Sequence, residues 1–423
     1  MKLKSYIFTK EKKNCTGCGA CACICSHMAL TMQEDEEGFC YPFLNREKCV
    51  HCGLCDVICP VMSNSHQANE YLNEKSYLVT SKSPEYGLNS ATIGLCTWIG
   101  QWYILHGGYV FGVVLDEEDW KAKHICVHDL VTLEKTRNSK YLQSNASETY
   151  VEVKKMLLAK EQVLYIGTPC QIAGLKSFLR KSYENLLTID IICHGVFSSK
   201  LMPLEVAYWE NKFKGRLSNF RFRSKRIYPW SLGGIVNFDI TDSEGRKKHV
   251  ERHAKASPTY RSFAYSGDGK NYNIRESCYD CPFRDKGRYG DLTVGDAWGH
   301  AARYKRLFNI NNRKNGISSL LCNTGKGKKI VDLLSDEFAL TPVFASETFS
   351  QDALLPTNRL IPPERYTIYQ NPESLSYVDL VESVLHVDLE QAYRSFKRDY
   401  LRTRIKEFVK ERILNLKCLL LIY

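Results

Sequence analysis

The sequence lacks any apolar run long enough to cross a bilayer, and its apolar tail at 418–423 is far too short for that. Its opening residues, MKLKSYIFTKEKKN, are polar and carry no hydrophobic stretch of the secretory kind, so a cytoplasmic location is expected. No G-x-G-x-x-G follows a strand-like run, which removes support for a Rossmann-type nicotinamide site. Zinc-finger, helix-turn-helix and aromatic-rich RNA-binding patterns are also missing. The formal net charge of +11 is therefore read as favouring acidic electron carriers rather than nucleic acid. What the chain has in excess is cysteine: 18 in 423 residues, ten of them before residue 65. A secreted disulfide framework would be small and exported, so clustered cysteines in a cytoplasmic chain point to metal, in a host that lives with little oxygen.

Two cysteine runs carry the strongest signal. Cys15, Cys18, Cys21 and Cys25 follow C-x2-C-x2-C-x3-C, and Cys49, Cys52, Cys55 and Cys59 repeat it 34 positions later, closed by Pro60. Three thiolates at that spacing wrap one corner of a cubane, and the fourth ligand comes from the last cysteine of the other run. The first [4Fe–4S] cluster is thus assigned to Cys15, Cys18, Cys21 and Cys59, the second to Cys49, Cys52, Cys55 and Cys25. Zinc is the competing reading for paired C-x2-C motifs, but two complete four-cysteine runs are foreign to it. Cys23 and Cys40 are read as packing residues. The stretch 28–43, with Gly38 at its turn, is expected to be the hairpin joining the halves.

After a polar linker at 63–70, short β-branched runs (77–80, 109–114, 163–166, 186–192) alternate with helical patterns such as 148–160 and 171–181. This predicts an α/β core with a largely parallel sheet. Segment 217–250 alternates more strictly, Phe220 and Phe222 against Arg221, Arg223 and Lys225, which predicts an antiparallel hairpin whose basic row faces water. Beyond Pro342 the chain reads as loop-rich, with Pro356, Pro362, Pro363 and Pro372. It ends in a basic helix with Leu401, Ile405, Phe408, Ile413, Leu416 and Leu420 on one side. That helix is expected to pack on its own domain, with a membrane surface or a partner as the alternative.

Four more cysteines stand at telling places. Cys170 follows a strand at the start of a helix, where the dipole stabilises a thiolate, and Cys193 ends the next strand. Cys278 and Cys281 form a C-x2-C pair. Together they suit a four-thiolate site for a third cluster, or they are buried free cysteines.

With these residues, the runs Ser139-Lys140-Tyr141-Leu142-Gln143-Ser144, Gly167-Thr168-Pro169-Cys170-Gln171, Cys193-His194-Gly195 and 290–299 complete a pattern over roughly residues 10–325. That pattern resembles the beta-subunit family of coenzyme F420 hydrogenase/dehydrogenase. The resemblance implies an α/β fold with α+β features: a bacterial-type ferredoxin domain at 1–65, the family's catalytic domain at 76–155 and 156–341, and a loop-rich segment with a basic helix at 342–423. It also implies FAD beside a third [4Fe–4S] cluster held by Cys170, Cys193, Cys278 and Cys281. Gly94, Lys140, Tyr141, Gln143, Ser144 and Thr168 then fall near the flavin, a lysine among hydroxyls and amides being suited to a pyrophosphate. His194 and Asp296 are the candidates for moving a proton. The expected activity is an oxidoreductase that takes single electrons from a ferredoxin or similar acidic donor and exchanges a hydride with a small organic acceptor. One departure matters: Ile93 stands where the family usually has glycine, removing a close backbone approach at the flavin. The alternatives are therefore an electron-transfer adaptor without a working flavin site, or a redox sensor.

Overall fold

The computed structural model describes residues 5–62, 76–87, 89–284, 287–348, 359–370 and 377–420; the predicted linker at 63–70 and the prolines Pro356 and Pro372 lie outside them. Strands are β1 Leu30–Glu34, β2 Cys40–Leu44, β3 Ser76–Ser81, β4 Tyr109–Asp116, β5 Lys121–Val127, β6 Val163–Gly167, β7 Leu186–Ile191, β8 Arg216–Arg221, β9 Ile235–Thr241, β10 Lys247–His253, β11 Leu292–Asp296, β12 Ser318–Cys322 and β13 Phe338–Val343.

The expected hairpin is present: β1 pairs with β2 antiparallel, and Gly38 sits in the turn at φ +80°. The main sheet has eight strands in the order β13-β3-β12-β11-β7-β6-β4-β5. Only its centre is parallel, through β11–β7, β7–β6 and β6–β4, while β12, β3, β13 and β5 run antiparallel at the flanks. "Largely parallel" thus corrects to mixed. The expected boundary at 155/156 falls inside this one sheet, and the one at 342 cuts β13, where Pro342 is tolerated because β13 is an edge strand.

The helices Leu95–Leu105 and Gly325–Leu334 cover one face of the sheet over a core of Val79, Ile93, Ile99, Leu164, Ile189, Leu292 and Leu320. Ser147–Leu158 and Pro169–Leu179 cover the other, and there Cys18, Ala20 and Ile58 of the cysteine-rich module join Tyr150, Val153, Tyr165 and Ile172 in one apolar cluster. The module is therefore seated on the sheet domain by its own core residues.

Segment 217–250 forms a three-stranded antiparallel sheet, β10-β9-β8, with Phe220 and Phe222 buried as predicted. The basic row is not a wet face. Arg223 and Lys225 are 6% and 7% exposed, because the chain leaves β8 at Arg221 and turns inward against the main sheet. The loop-rich reading after Pro342 also needs correction: Ala345–Thr348, Glu364–Gln370, Tyr377–Leu385 and Leu389–Leu420 are helices. Pro362 and Pro363 merely precede the second of them, where missing N–H groups cost little. Ile368, Tyr369, Tyr377 and Val381 pack on Phe39 and Tyr41 of the hairpin, and the buried Arg365 guanidinium grips both carboxylate oxygens of Glu37. The last helix docks through Phe396 and Tyr400 on Tyr228 and through Phe396 stacked 4.0 Å from His253. The expected apolar stripe is not its packing face at the described positions, since Leu401 and Ile405 are 51% and 63% exposed. Among the described residues no helix is long and apolar enough to cross a membrane.

Candidate functional site: cysteine cages and a strand-end cleft

The parallel centre of the sheet decides where the chemistry collects. β6 and β7 run side by side with Gly167 opposite Asp190, so Cys170 and Cys193, each just past its strand, arrive at the same edge. Cys278 and Cys281 join them, and the four thiols line one cavity together with His194, Arg275 and Arg284. A second cavity is lined by five cysteines, Cys15, Cys18, Cys21, Cys59 and Cys55: the four expected for the first ferredoxin cluster and one expected for the second. The set expected for the second cluster lies toward solvent: Cys52 is exposed and Cys25, Cys49 and Cys55 are half-buried. Cys25 Sγ accepts a hydrogen bond from the Ala29 N–H at 3.3 Å.

Cys23, read as a packing residue, lies outside both cavities and donates to the Ser147 carbonyl at 3.0 Å. Among the described residues no three His, Cys, Asp or Glu side chains converge on a single metal ion. The cavities gather four or five cysteines each, a sulfur-rich donor set of the kind a cubane takes. Burial, followed by neighbouring thiolates, pushes Cys18 and Cys21 well above the ordinary thiol range and Cys193 to about 12. Burial also lifts Cys170, so desolvation outweighs the helix dipole expected to favour its thiolate. Four such sulfurs carry negative charge together only with a cation among them, so the residues fit iron–sulfur clusters.

The cleft opens at the carboxyl ends of β6, β7 and β11, where ligands bind in open α/β sheets. It has a cavity volume of about 280 Å³ and continues into open solvent, with an apolar floor of Ile166, Ile191, Ile192 and Val294, and a rim that includes Thr92, Gly94, Arg137, Asn138 and Tyr141. Helix Leu95–Leu105 starts at this rim, and its N-cap Gly94, at φ +81°, supplies no side-chain cap for the first N–H groups. A Cβ on Gly94 would collide with the Tyr86 carbonyl, so the glycine serves a tight turn. Ile93 is fully buried in the sheet core and absent from the cleft wall. Its side chain therefore does not obstruct the cleft, contrary to the expectation drawn from the missing glycine.

Of the other expected flavin residues, Tyr141, Ser144 and Thr168 line the cleft. Lys140 lines it too, but its ammonium donates to the carbonyls of Lys135, Thr136 and Arg137 at 3.1, 2.7 and 2.8 Å. All three of its protons are used at the end of helix Leu130–Thr136, and burial, with Arg221 nearby, lowers it to about 7. The other cation at this rim is Arg137: its Nη2 pairs with Glu134 and its Nη1 donates to the Tyr86 carbonyl at 3.3 Å, while its Nε is buried without a hydrogen-bond partner. Gln143 turns away from the cleft and donates to the Thr16 carbonyl at 2.9 Å. The cleft's place at the strand ends, its uncapped helix start and Arg137 fit a flavin dinucleotide.

The two proton candidates separate. His194 lines the third cage, its Nε2 accepting from Asn271 Nδ2 at 3.1 Å. Asp296 reaches the cleft and is fully engaged: Oδ2 accepts from Arg223 Nη1 at 2.6 Å, and Oδ1 from Trp230 Nε1 at 3.1 Å and from the Thr92 hydroxyl. Arg223 and Lys225 were missed as site residues. Lys225 Nζ donates to the carbonyls of Thr92 and Asn315 (2.8 Å to the latter) and so holds the turn before the cleft helix, while burial lowers it to about 7. Their only sequence signal was the basic row, which alternation alone assigned to solvent.

Single walls separate the three cavities. Thr16 borders both the first and third cages. Thr168, Gln171 and Val196 border both the third cage and the cleft. Thr168 Oγ1 lies 3.2 Å from Cys170 Sγ, and Gln171 Oε1 accepts from the Thr168 N–H and hydroxyl at 3.0 Å. On the far side, Gly174 allows Cys18 to approach: a Cβ there would meet Cys18 Sγ at 3.0 Å and its Cβ at 2.8 Å.

Sulfur cages in line with a strand-end cleft define a redox protein. Residues 160–343 match the family model that describes the C terminus of the coenzyme F420 hydrogenase/dehydrogenase beta subunit, so that segment is similar to this family. Among solved structures, a chain from the xenon-derivatised F420-reducing [NiFe] hydrogenase complex of Methanosarcina barkeri is 13% identical, with 69% of this chain and 92% of that one aligned at a TM-score of 0.42. No curated protein matches.

Proposed function

We propose that the protein is an iron–sulfur flavoprotein oxidoreductase that links one-electron transfer to hydride exchange with a small organic acceptor. The observation that carries this reading is the row of cavities: first cage, third cage and cleft, each sharing a wall of one to three residues with the next. Bound there, [4Fe–4S] clusters and FAD supply single-electron and hydride chemistry respectively.

The chain's own residues set the terms of that transfer. Cys49, Cys52, Cys55 and Cys25, nearest to solvent, are the entry for a ferredoxin or another acidic carrier. Cys15, Cys18, Cys21 and Cys59 lie behind them, against Gly174, and Cys170, Cys193, Cys278 and Cys281 follow. The Thr168 hydroxyl lies between Gln171 Oε1 and Cys170 Sγ, so it reaches the sulfur as a donor only by giving up its bond to Gln171. Arg137 and the opening amides of helix Leu95–Leu105 are the groups available to a pyrophosphate. Asp296 holds Arg223, Thr92 and Trp230 in one cluster at the mouth of the cleft, so it orients the rim; a proton delivered from its carboxyl would first require that cluster to open.

The capture of Lys140 by three carbonyls supports a second reading, an adaptor that feeds electrons to a partner without binding flavin. One anaerobic preparation analysed for iron, acid-labile sulfide and released flavin separates the two. About twelve irons and one FAD per chain are expected. About twelve irons without flavin, even after FAD reconstitution, would leave the adaptor, and about eight would remove the third cage.

A further inference from the structure

Three buried guanidinium groups of this protein face a carboxylate. Arg288 meets Asp190 at 2.6 Å, Arg223 meets Asp296 at 2.6 Å, and Arg365 meets Glu37. Arg275 is as deeply buried, 1% exposed, and its partners are neutral. Nε donates to the Cys15 carbonyl at 2.8 Å and Nη1 to Gln143 Oε1 at 2.7 Å. The guanidinium centre lies 4.0 Å from the Tyr41 ring centroid, and Nη2 is buried with no hydrogen-bond partner. A lone buried cation costs several kcal/mol unless a counter-charge is close.

The surroundings identify that counter-charge. Arg275 lines the cavity of Cys170, Cys193, Cys278 and Cys281. Its Nε is bound to the backbone of Cys15, a ligand candidate of the neighbouring cage, and Gln143, which accepts from Nη1, donates in turn to Thr16 in the wall between the two. After the Tyr41 hydroxyl, the acidic groups nearest in effect on it are the sulfurs of Cys15, Cys278 and Cys40, of which Cys15 belongs to the first cage and Cys278 to the third.

We propose that Arg275 is the counter-charge shared by the inner ferredoxin cage and the third cage, a positioning residue that favours an electron on either. Each transfer adds one electron and one negative charge to a cage, with no bond made and no proton required. The fixed guanidinium offsets that charge in a region water does not reach. The same side chain ties the module to the sheet domain, so the contact that joins the cages also biases them. The inference rests on the cluster reading above.

The test is an EPR-monitored redox titration of the reconstituted full chain, wild type beside Arg275→Met and Arg275→Lys, with iron counted on each sample. Arg275→Met is expected to disfavour reduction of the inner and third clusters at least tenfold, a shift of 59 mV to more negative potential for one electron. The cluster of Cys25, Cys49, Cys52 and Cys55 is the internal reference and should move far less. Arg275→Lys should keep both potentials within a few-fold of wild type. Unchanged inner and third potentials in an iron-replete Arg275→Met protein, or equal shifts at all three clusters, would overturn the proposal. Should Arg275→Met fail to hold iron, Arg275→Lys decides: near-wild-type potentials support the counter-charge, and a loss as large as tenfold refutes it. A wild-type chain with only about eight irons would instead count against the third cage itself, and the inner cluster alone would still test Arg275.

Discussion

The two halves of the cysteine repeat share a backbone and differ in what they face. Gly17 and His51 occupy equivalent positions and both have positive φ, +69° and +55°. Gly19 and Gly53 are likewise equivalent, at +78° and +72°, each opening a short helix. In the first half a Cβ at Gly17 would strike Gln143 and come within 2.9 Å of the Cys40 carbonyl, and one at Gly19 would strike Ser147. In the second half a Cβ at Gly53 meets nothing within 4 Å, and position 51 carries an exposed histidine. One sequence pattern thus makes two different sites: a cage pressed against the sheet domain, and a cage left toward solvent. On the function proposed above, that difference would give the module a direction, with electrons entering at the second half and leaving through the first.

The largest expected effect breaks that direction. Cys18→Ser should remove the inner cluster, lower iron by about four per chain, and reduce transfer from an external donor to the third cluster to background. Cys52→Ser should lose as much iron, yet leave the third cluster reducible by a small chemical reductant through the intact inner cage. Stopped-flow reduction followed by EPR distinguishes these; equal behaviour of the two variants would show that the halves are interchangeable. A smaller effect is expected at the clamp over the hairpin. Arg365→Met leaves the Glu37 carboxylate buried and alone, at a cost of about 3–5 kcal/mol, and should lower the denaturation midpoint of the whole chain. A double variant, Arg365→Met with Glu37→Leu, should recover part of the loss.

What was legible in the sequence follows from the same contrast. The gathering of the cysteines was readable because it follows from spacing within a few residues, and the strands were readable because β-branched runs bury themselves locally. Cys170 and Cys193 were placed at one edge from strand order alone. Contacts between distant segments were not readable. The Arg365–Glu37 pair joins residues 328 apart, and Arg275 reaches Cys15 across 260, so no local pattern marks either. Arg223 and Lys225 obey a period of two, which tells which face a residue takes but not whether that face meets water or another part of the chain. Lys140 was matched by motif, and only the geometry of helix Leu130–Thr136 shows its protons already spent.

The finest test sharpens the comparison at single glycines. A left-handed conformation costs an ordinary residue about 1–2 kcal/mol, and this strain is common to Gly19→Ala and Gly53→Ala because their φ angles nearly coincide. Overpacking adds about 1–3 kcal/mol only where a neighbour is in the way, and Ser147 is in the way of position 19 alone. Gly19→Ala should therefore be the more destabilising of the two by that second amount, measured as the shift in anaerobic denaturation midpoint at constant slope. His51→Gly should change stability by less than about 1 kcal/mol, since relief of strain is offset by the freedom glycine gains in the unfolded chain. The reciprocal Gly17→His forces an imidazole into the space held by Gln143, and should loosen the inner cage while leaving the outer one loaded. Equal losses for Gly19→Ala and Gly53→Ala would mean that the first half does not sit on the sheet domain in solution.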